Sequence, residues 1–198
     1  TLSSSSAASD VYKRQNDDNV LYDIVAPLAQ DMNGKTALFE RNKIKAFLEL
    51  HIEQGPILEN NQKDIGIVTD IAAPHRFKLQ IAGVTSHSGS TPMPMRTDAL
   101  TTAAEVILKI EALGQAYHDK GIVTTVGYAN VYPNTMNAIP GEVTLLIDIR
   151  GKDKSIREKV VEEMKVHIET ITTNRQADYV LEDLGQDQPR KFLSLIHI

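Results

Sequence analysis

The sequence contains no cysteine, which excludes both a disulfide framework and a thiolate metal site. No apolar run approaches the roughly 18 residues that a membrane-spanning helix needs. No Lys/Arg cluster stands out and the formal net charge is −5, so neither a nucleic-acid surface nor a membrane partner is expected. A glycine-rich phosphate loop and a helical H-E-x-x-H metal motif are both missing. So is the G-x-S-x-G elbow of a serine hydrolase, although Ser86 and Ser88 flank His87. What remains is ordinary: 198 residues, 41% hydrophobic and 24% charged, a globular composition of one or two domains. The default expectation is a cytoplasmic enzyme or a piece of one.

The two ends differ from the middle. Residues 1–15, TLSSSSAASDVYKRQ, open on a Ser-rich run with neither the basic start nor the apolar core of a signal peptide. Asp10 to Gln15 and Leu193 to Ile198 resemble the two translated strands of a transposon adapter used to build sequencing libraries. On that reading 1–15 and 193–198 are non-native tails, and the native stretch is expected to be a fragment of a longer protein. A natural disordered tail and a short apolar C-terminus are the alternative.

Between the ends, Val20 to Leu28 suggests a helix broken at Pro27. Residues 44–53 read as a buried strand, 57–63 as a loop or short helical turn, and Ile65 to Ile71 as a β-branched strand. A boundary is expected at Ala72-Ala73-Pro74. Beyond it, Phe77, Leu79 and Ile81 alternate with Lys78 and Gln80, the mark of a half-buried strand. Helical spacing over Asp98 to Leu113 places Leu100, Ala103, Ala104, Ile107 and Ile110 on one face, with Thr97 as a candidate cap. Strands follow at Val123–Val131 and at Glu142–Arg150, where Val143, Leu145, Ile147 and Ile149 point one way. Ser155-x-x-Glu158 reads as a capping box ahead of the stripe Ile156, Val160, Met164, Ile168 and Ile171; Lys152, Lys154, Arg157 and Lys159 read as its solvated face. A last short strand spans Ala177 to Leu181. The order from 74 to 184 is thus strand, helix, strand, strand, helix, strand. That is the split βαβ, or ferredoxin-like, arrangement, with two helices over one face of a four-stranded antiparallel sheet.

Four places could carry chemistry. His51, in Glu49-Leu50-His51-Ile52-Glu53-Gln54-Gly55-Pro56, is either a metal ligand beside carboxylates or a structural histidine at a turn. His87 lies in a Ser/Gly/Pro loop after a strand, where functional groups concentrate. Its imidazole could donate to a polarised carbonyl or bond its own turn. Asn137, in the loop Pro133 to Gly141, offers both donor and acceptor but is also a common turn former. Arg150, closing a strand after Asp148, could hold a carboxylate through its planar fork or pair with Asp148. His75, His118 and His167 have no evident partner.

Taken together, four segments resemble one family: Glu49 to Glu59; Gly83 to Met93 with Arg96, Asp98 and Ala99; Pro133 to Gly141; and Asp148-Ile149-Arg150. They look like the M20 metallopeptidase superfamily, closest to the hydantoinase/carbamoylase branch of N-carbamoyl-L-amino-acid hydrolases, allantoate amidohydrolases and β-ureidopropionases. The resemblance implies an α/β fold in which a ferredoxin-like α+β lid and dimerisation domain, 74–184, is inserted in an incomplete zinc-exopeptidase-type catalytic domain, 16–73 and 185–192. It implies a site with two divalent ions, zinc or else manganese, cobalt or nickel, and His51 as a ligand. It implies that His87 polarises the scissile carbonyl, that Asn137 and Arg150 hold a substrate carboxylate, and that Gln54 and Arg76 lie near the substrate. The implied reaction cleaves the carbamoyl C–N bond of a small ureido or amide substrate in a homodimer joined through the lid. Alternatives are an M20 dipeptidase or aminoacylase-type peptidase, and a non-catalytic dimerisation module. The branch's upstream H-x-D motif, Glu-Glu pair and final histidine have no match here, so the fragment alone is expected to be inactive.

Overall fold

The computed structural model of the chain describes residues 49–192. The helix expected around Pro27 and the first half of the strand expected over 44–53 lie outside them. The described residues fall in two compact units, 49–60 and 61–192.

In the first unit the expected buried strand is not formed over 49–53. The backbone there is irregular, and Leu50 and Ile52 are 99% and 75% exposed. Apolar alternation makes a strand only where a partner strand and a covering layer receive it, and 49–53 has neither among the described residues. A four-residue helix, α1 (Ile57–Asn60), follows. The Glu53 carboxylate accepts from the backbone N–H groups of Ile57 and Leu58, both at 2.9 Å, and so caps it.

The second unit is built on β2 (Ala73–Ala82), α2 (Ala99–Ala116), β4 (Val123–Tyr132), β6 (Glu142–Gly151), α3 (Lys154–Asn174) and β7 (Asp178–Gln186). The sheet order is β4-β6-β2-β7, antiparallel throughout. The expected ferredoxin-like arrangement is therefore present. Central strands β2 and β6 alternate strictly between the two faces. Phe77, Leu79, Ile81, Val143, Leu145, Ile147 and Ile149 meet Ala103, Val106, Ile110, Val160, Met164 and Ile168 from the helices in one core. Burying each of the larger side chains stabilises the fold by about 1.5–3 kcal/mol. The opposite face of the sheet carries Arg76, Lys78, Gln80, Thr144 and Asp148, all half-buried. Two short pairs complete the unit: β1 (Asp70–Ile71) with β8 (Arg190–Lys191), and β3 (Ser86–His87) with β5 (Ala138–Ile139). No described helix is long and apolar enough to cross a membrane.

Several local expectations need correction. Only Asp70 and Ile71 of the strand expected over 65–71 pair with another strand. β7 runs on to Gln186 because β2 offers partners along its whole length, across a bulge at Arg76/Phe77. α2 is capped by Asp98, not Thr97: its side chain accepts from Leu100 and Thr101 N–H. Its buried stripe is Ala99, Thr102, Ala103, Val106, Ile110 and Leu113, while Leu100 and Ala104 face outward. The helix has apolar residues enough for two adjacent stripes, and packing on the sheet selects one. In α3 the cap is Asp153. Its Oδ1 accepts from Ser155 N–H, Ser155 Oγ–H and Ile156 N–H, so no Ser155/Glu158 box forms.

The largest correction is Arg157, which belongs to no solvated face: it is 0% exposed. Its Nη1 donates to the Ala73 and Asp187 carbonyls at 2.9 and 3.0 Å, and its Nη2 to Gln186 Oε1 at 2.7 Å. Burial pushes its pKa down, yet an arginine remains cationic at neutral pH. The guanidinium thus fastens together the two points where the chain joins and leaves the sheet. Its long apolar stem lets a charged residue occupy a position beside the helix stripe.

Candidate functional site

The segments that follow β2 and β4 are joined at one end of the sheet. Ser86 pairs with Ile139 and His87 with Ala138. Ser88 N–H donates to the Asn137 carbonyl at 3.0 Å, and Gly83 N–H to the Gly141 carbonyl at 2.8 Å. Gly141 permits this closeness, since a Cβ there would collide with the Thr85 side chain; Gly83 permits a separate close approach, to the Thr97 carbonyl oxygen. His87 and Asn137, 50 positions apart in sequence, therefore stand side by side, both exposed.

The His87 ring is held in a defined state. Gly89 N–H donates to its Nδ1 at 3.1 Å. A nitrogen that accepts a hydrogen bond carries no proton, so the neutral ring has its proton on Nε2. His87 does bond its own turn, as the structural reading had it. That same bond leaves Nε2–H as an outward donor, as the functional reading requires.

Arg76 and Arg150 meet at the other end of the sheet. Arg150 donates from Nε and Nη2 to one oxygen of Asp148, Oδ2, at 3.0 and 2.7 Å. Arg76, directly across from Asp148 on β2, has its Nε 3.9 Å from the same oxygen. Asp148 Oδ1 is buried and accepts no hydrogen bond. Two cations around one carboxylate leave one positive charge in excess, which suits an anionic ligand. The 142–150 span of β6 separates the two ends by about 26 Å, at a rise of about 3.3 Å per residue. Within one chain the structure thus brings together His87 with Asn137, and Arg76 with Arg150, but not the two pairs.

In the first unit His51 is exposed, with its Nδ1 2.6 Å from the Ile52 carbonyl oxygen. Glu53 is occupied in capping α1, and Gln54 sits in the left-handed region at φ 57°. No group of three or more His, Asp or Glu able to hold a metal ion occurs among the described residues. They do not by themselves compose a metal site.

Sequence reasoning left two contributors without their full role. Arg96, named only as part of the resembling segment that holds His87, donates into the His87 loop. Asp148 serves two arginines, of which the sequence suggested one. His75, left without a partner by the sequence, is buried and bonded through Nε2 to Asp183 Oδ2 at 2.8 Å, a structural role.

The profile of the peptidase dimerisation domain of the M20 family matches residues 75–175, just over half of the chain. An N-carbamoyl-L-amino-acid amidohydrolase of Pseudomonas sp. (strain NS671) is 39% identical over 143 residues, 72% of this chain and 34% of the relative. A ureidoglycolate hydrolase of Arabidopsis thaliana is 38% identical over 161 residues, 81% of this chain and 34% of the relative. The crystal structure of a hydantoinase/carbamoylase-family amidase from Burkholderia multivorans superposes with a TM-score of 0.70 at 34% identity, over 72% of this chain and 34% of that one. The chain spans about a third of the length of the curated relatives it matches. The ferredoxin-like unit with its joined loops is therefore a dimerisation domain of the peptidase type. The chain belongs to the M20 family, in its hydantoinase/carbamoylase branch.

Proposed function

We propose that this chain is part of an amidohydrolase that hydrolyses the carbamoyl C–N bond of N-carbamoyl-L-amino acids or allantoate-like substrates, consuming one water, which attacks the ureido carbonyl carbon, and releasing carbon dioxide, ammonia and the free amino acid. The observation that carries it is the Gly89 N–H to His87 Nδ1 bond, which leaves Nε2–H as an outward donor on a loop joined to the Asn137 loop. That proton donates to the ureido carbonyl oxygen as negative charge grows on it in the transition state. The Asn137 side-chain amide and the Arg150 fork take the substrate's carboxylate, with Arg76 adding positive charge. Such a substrate is far shorter than the separation of the two ends. One site would therefore take His87 and Asn137 from one copy and Arg150 from a second, in a homodimer joined through this domain.

The proposal extends to domain limits of 16–73 for part of the catalytic domain, 74–184 for the lid and 185–192 for the start of a second catalytic segment. It extends to Gln54 near the substrate and to a cytoplasmic location. It includes a pair of divalent ions, zinc ahead of manganese, cobalt or nickel, with His51 as one ligand. Nothing in the described residues completes that site, and the steps above rest on organic groups alone.

The test is to assay the full-length enzyme against a panel of N-carbamoyl-L-amino acids, allantoate and dipeptides. Turnover of carbamoyl compounds or allantoate supports the proposal. Turnover of dipeptides alone would assign a peptidase, and none at all a non-catalytic dimerisation module.

A further inference from the structure

We propose that Arg96 is the positioning residue of the His87 loop: its guanidinium holds the turn whose amide fixes the orientation and tautomer of the His87 ring. Arg96 follows the 3-10 turn Met93–Met95 and is half-buried. Its Nε donates to the Thr91 carbonyl at 3.0 Å and its Nη2 to the Ser88 carbonyl at 2.6 Å. No ion pair of Arg96 occurs among the described residues. A half-buried cation whose acceptors are two neutral carbonyls of one short loop serves that loop's shape.

Those two carbonyls bracket the turn His87–Thr91. The turn is closed by Thr91 N–H donating to the His87 carbonyl at 3.2 Å and by Thr91 Oγ1–H donating to Ser86 Oγ at 3.1 Å. Inside it, Gly89 N–H points at His87 Nδ1. The imidazole is otherwise exposed, so that single bond sets which nitrogen carries the proton and where the proton points. The bond lasts only while the Ser88–Thr91 backbone keeps its path, and Arg96 ties both ends of that path to one rigid planar fork. Lysine carries the same charge but has no fork to span two carbonyls.

This inference rests on the proposed role of His87 for its consequence in catalysis, but its test involves no substrate. The 198-residue chain, labelled with 15N, is compared with Arg96→Gln and Arg96→Lys by NMR. The wild type is expected to show a scalar coupling across the Gly89 N–H to Nδ1 bond and a protected Gly89 amide. In both variants the coupling is expected to vanish and Gly89 amide exchange to quicken at least tenfold. The His75 ring, held by Asp183 away from the loop, is the internal control for an intact fold. Lack of the coupling in the wild type, or its survival in a folded variant, would overturn the proposal. Should Arg96→Gln fail to fold, Arg96→Lys decides. In the full-length enzyme the matching expectation is a tenfold or greater drop in kcat with KM nearly unchanged. A retained kcat alongside a lost coupling would count against the role of His87 and leave that of Arg96 standing.

Discussion

His87 and Arg150 respond to substitution in different ways. If Nε2–H stabilises charge that appears only in the transition state, His87→Ala lowers kcat of the full-length enzyme by about 10²–10³-fold and moves KM little. On the proposed function, Arg150 would meet a carboxylate already present in the bound substrate. Arg150→Lys keeps the charge but loses the fork, and a charged hydrogen bond is worth about 1.5–3 kcal/mol. KM is expected to rise about tenfold or more, since about 1.4 kcal/mol is one decade, with kcat largely kept. Steady-state kinetics on both variants separates the two roles; equal effects on kcat and KM in each would contradict them.

At the scale of the element, the informative residues are Arg157 and Asp153. Arg157→Met removes the donors of the Ala73 and Asp187 carbonyls and of the Gln186 amide oxygen. Each orphaned acceptor costs about 1–3 kcal/mol when buried, partly offset because a buried cation also disappears. A net loss of about 2–4 kcal/mol is expected in urea unfolding of the chain. At the start of α3, Asp153→Ala is expected to lower Tm, because its Oδ1 receives two backbone N–H groups. Glu158→Ala is expected to leave Tm nearly unchanged, because Glu158 only pairs with Lys154 at 3.5 Å on the surface. An equal drop in both would restore the capping box that the motif suggested.

For the whole molecule, the pH dependence of stability has two steps of the same sign. Burial, followed by the charge of Lys109, outweighs Glu163 and lowers the His167 pKa. The unfolded chain then binds the extra proton first, and stability falls as pH drops below about 6.5. Burial tends to raise the Asp183 carboxyl, but hydrogen bonds from His75 and Gly185 N–H outweigh it and hold it below the ordinary range. Hydrogen bonds from Ser155 and Ile156 do the same for Asp153. These two contributions are present above about pH 4 and are lost as pH falls through the lowered values. Urea titrations between pH 8 and pH 3 check this; His167→Gln should remove the upper step alone. At the same scale, the placement of His87 and Arg150 at opposite ends of the sheet, about 26 Å apart by the rise of β6, predicts complementation. If each site draws on two copies, mixing the impaired His87→Ala and Arg150→Ala full-length enzymes with subunit exchange, assayed with substrate well below the raised KM of the Arg150 variant, restores about a quarter of the activity. Complete sites within one chain would give none.

The sequence by itself determined the order of strands and helices in the second unit, because period-2 and period-3.6 patterns follow directly from strand and helix geometry. It also brought His87, Asn137 and Arg150 forward, through polar residues in loops and at a strand end. Only the tertiary structure decided which groups stand together. Strand register placed His87 beside Asn137, and Arg150 a sheet's length away. Packing chose the buried stripe of α2 over its neighbour. A neutral acceptor set spread over residues 73, 186 and 187 drew Arg157 into the core, although its charge alone argued for the surface. Local patterns depend on residues a few positions apart. Pairing and desolvation depend on partners tens of residues away, and no window along the chain contains both.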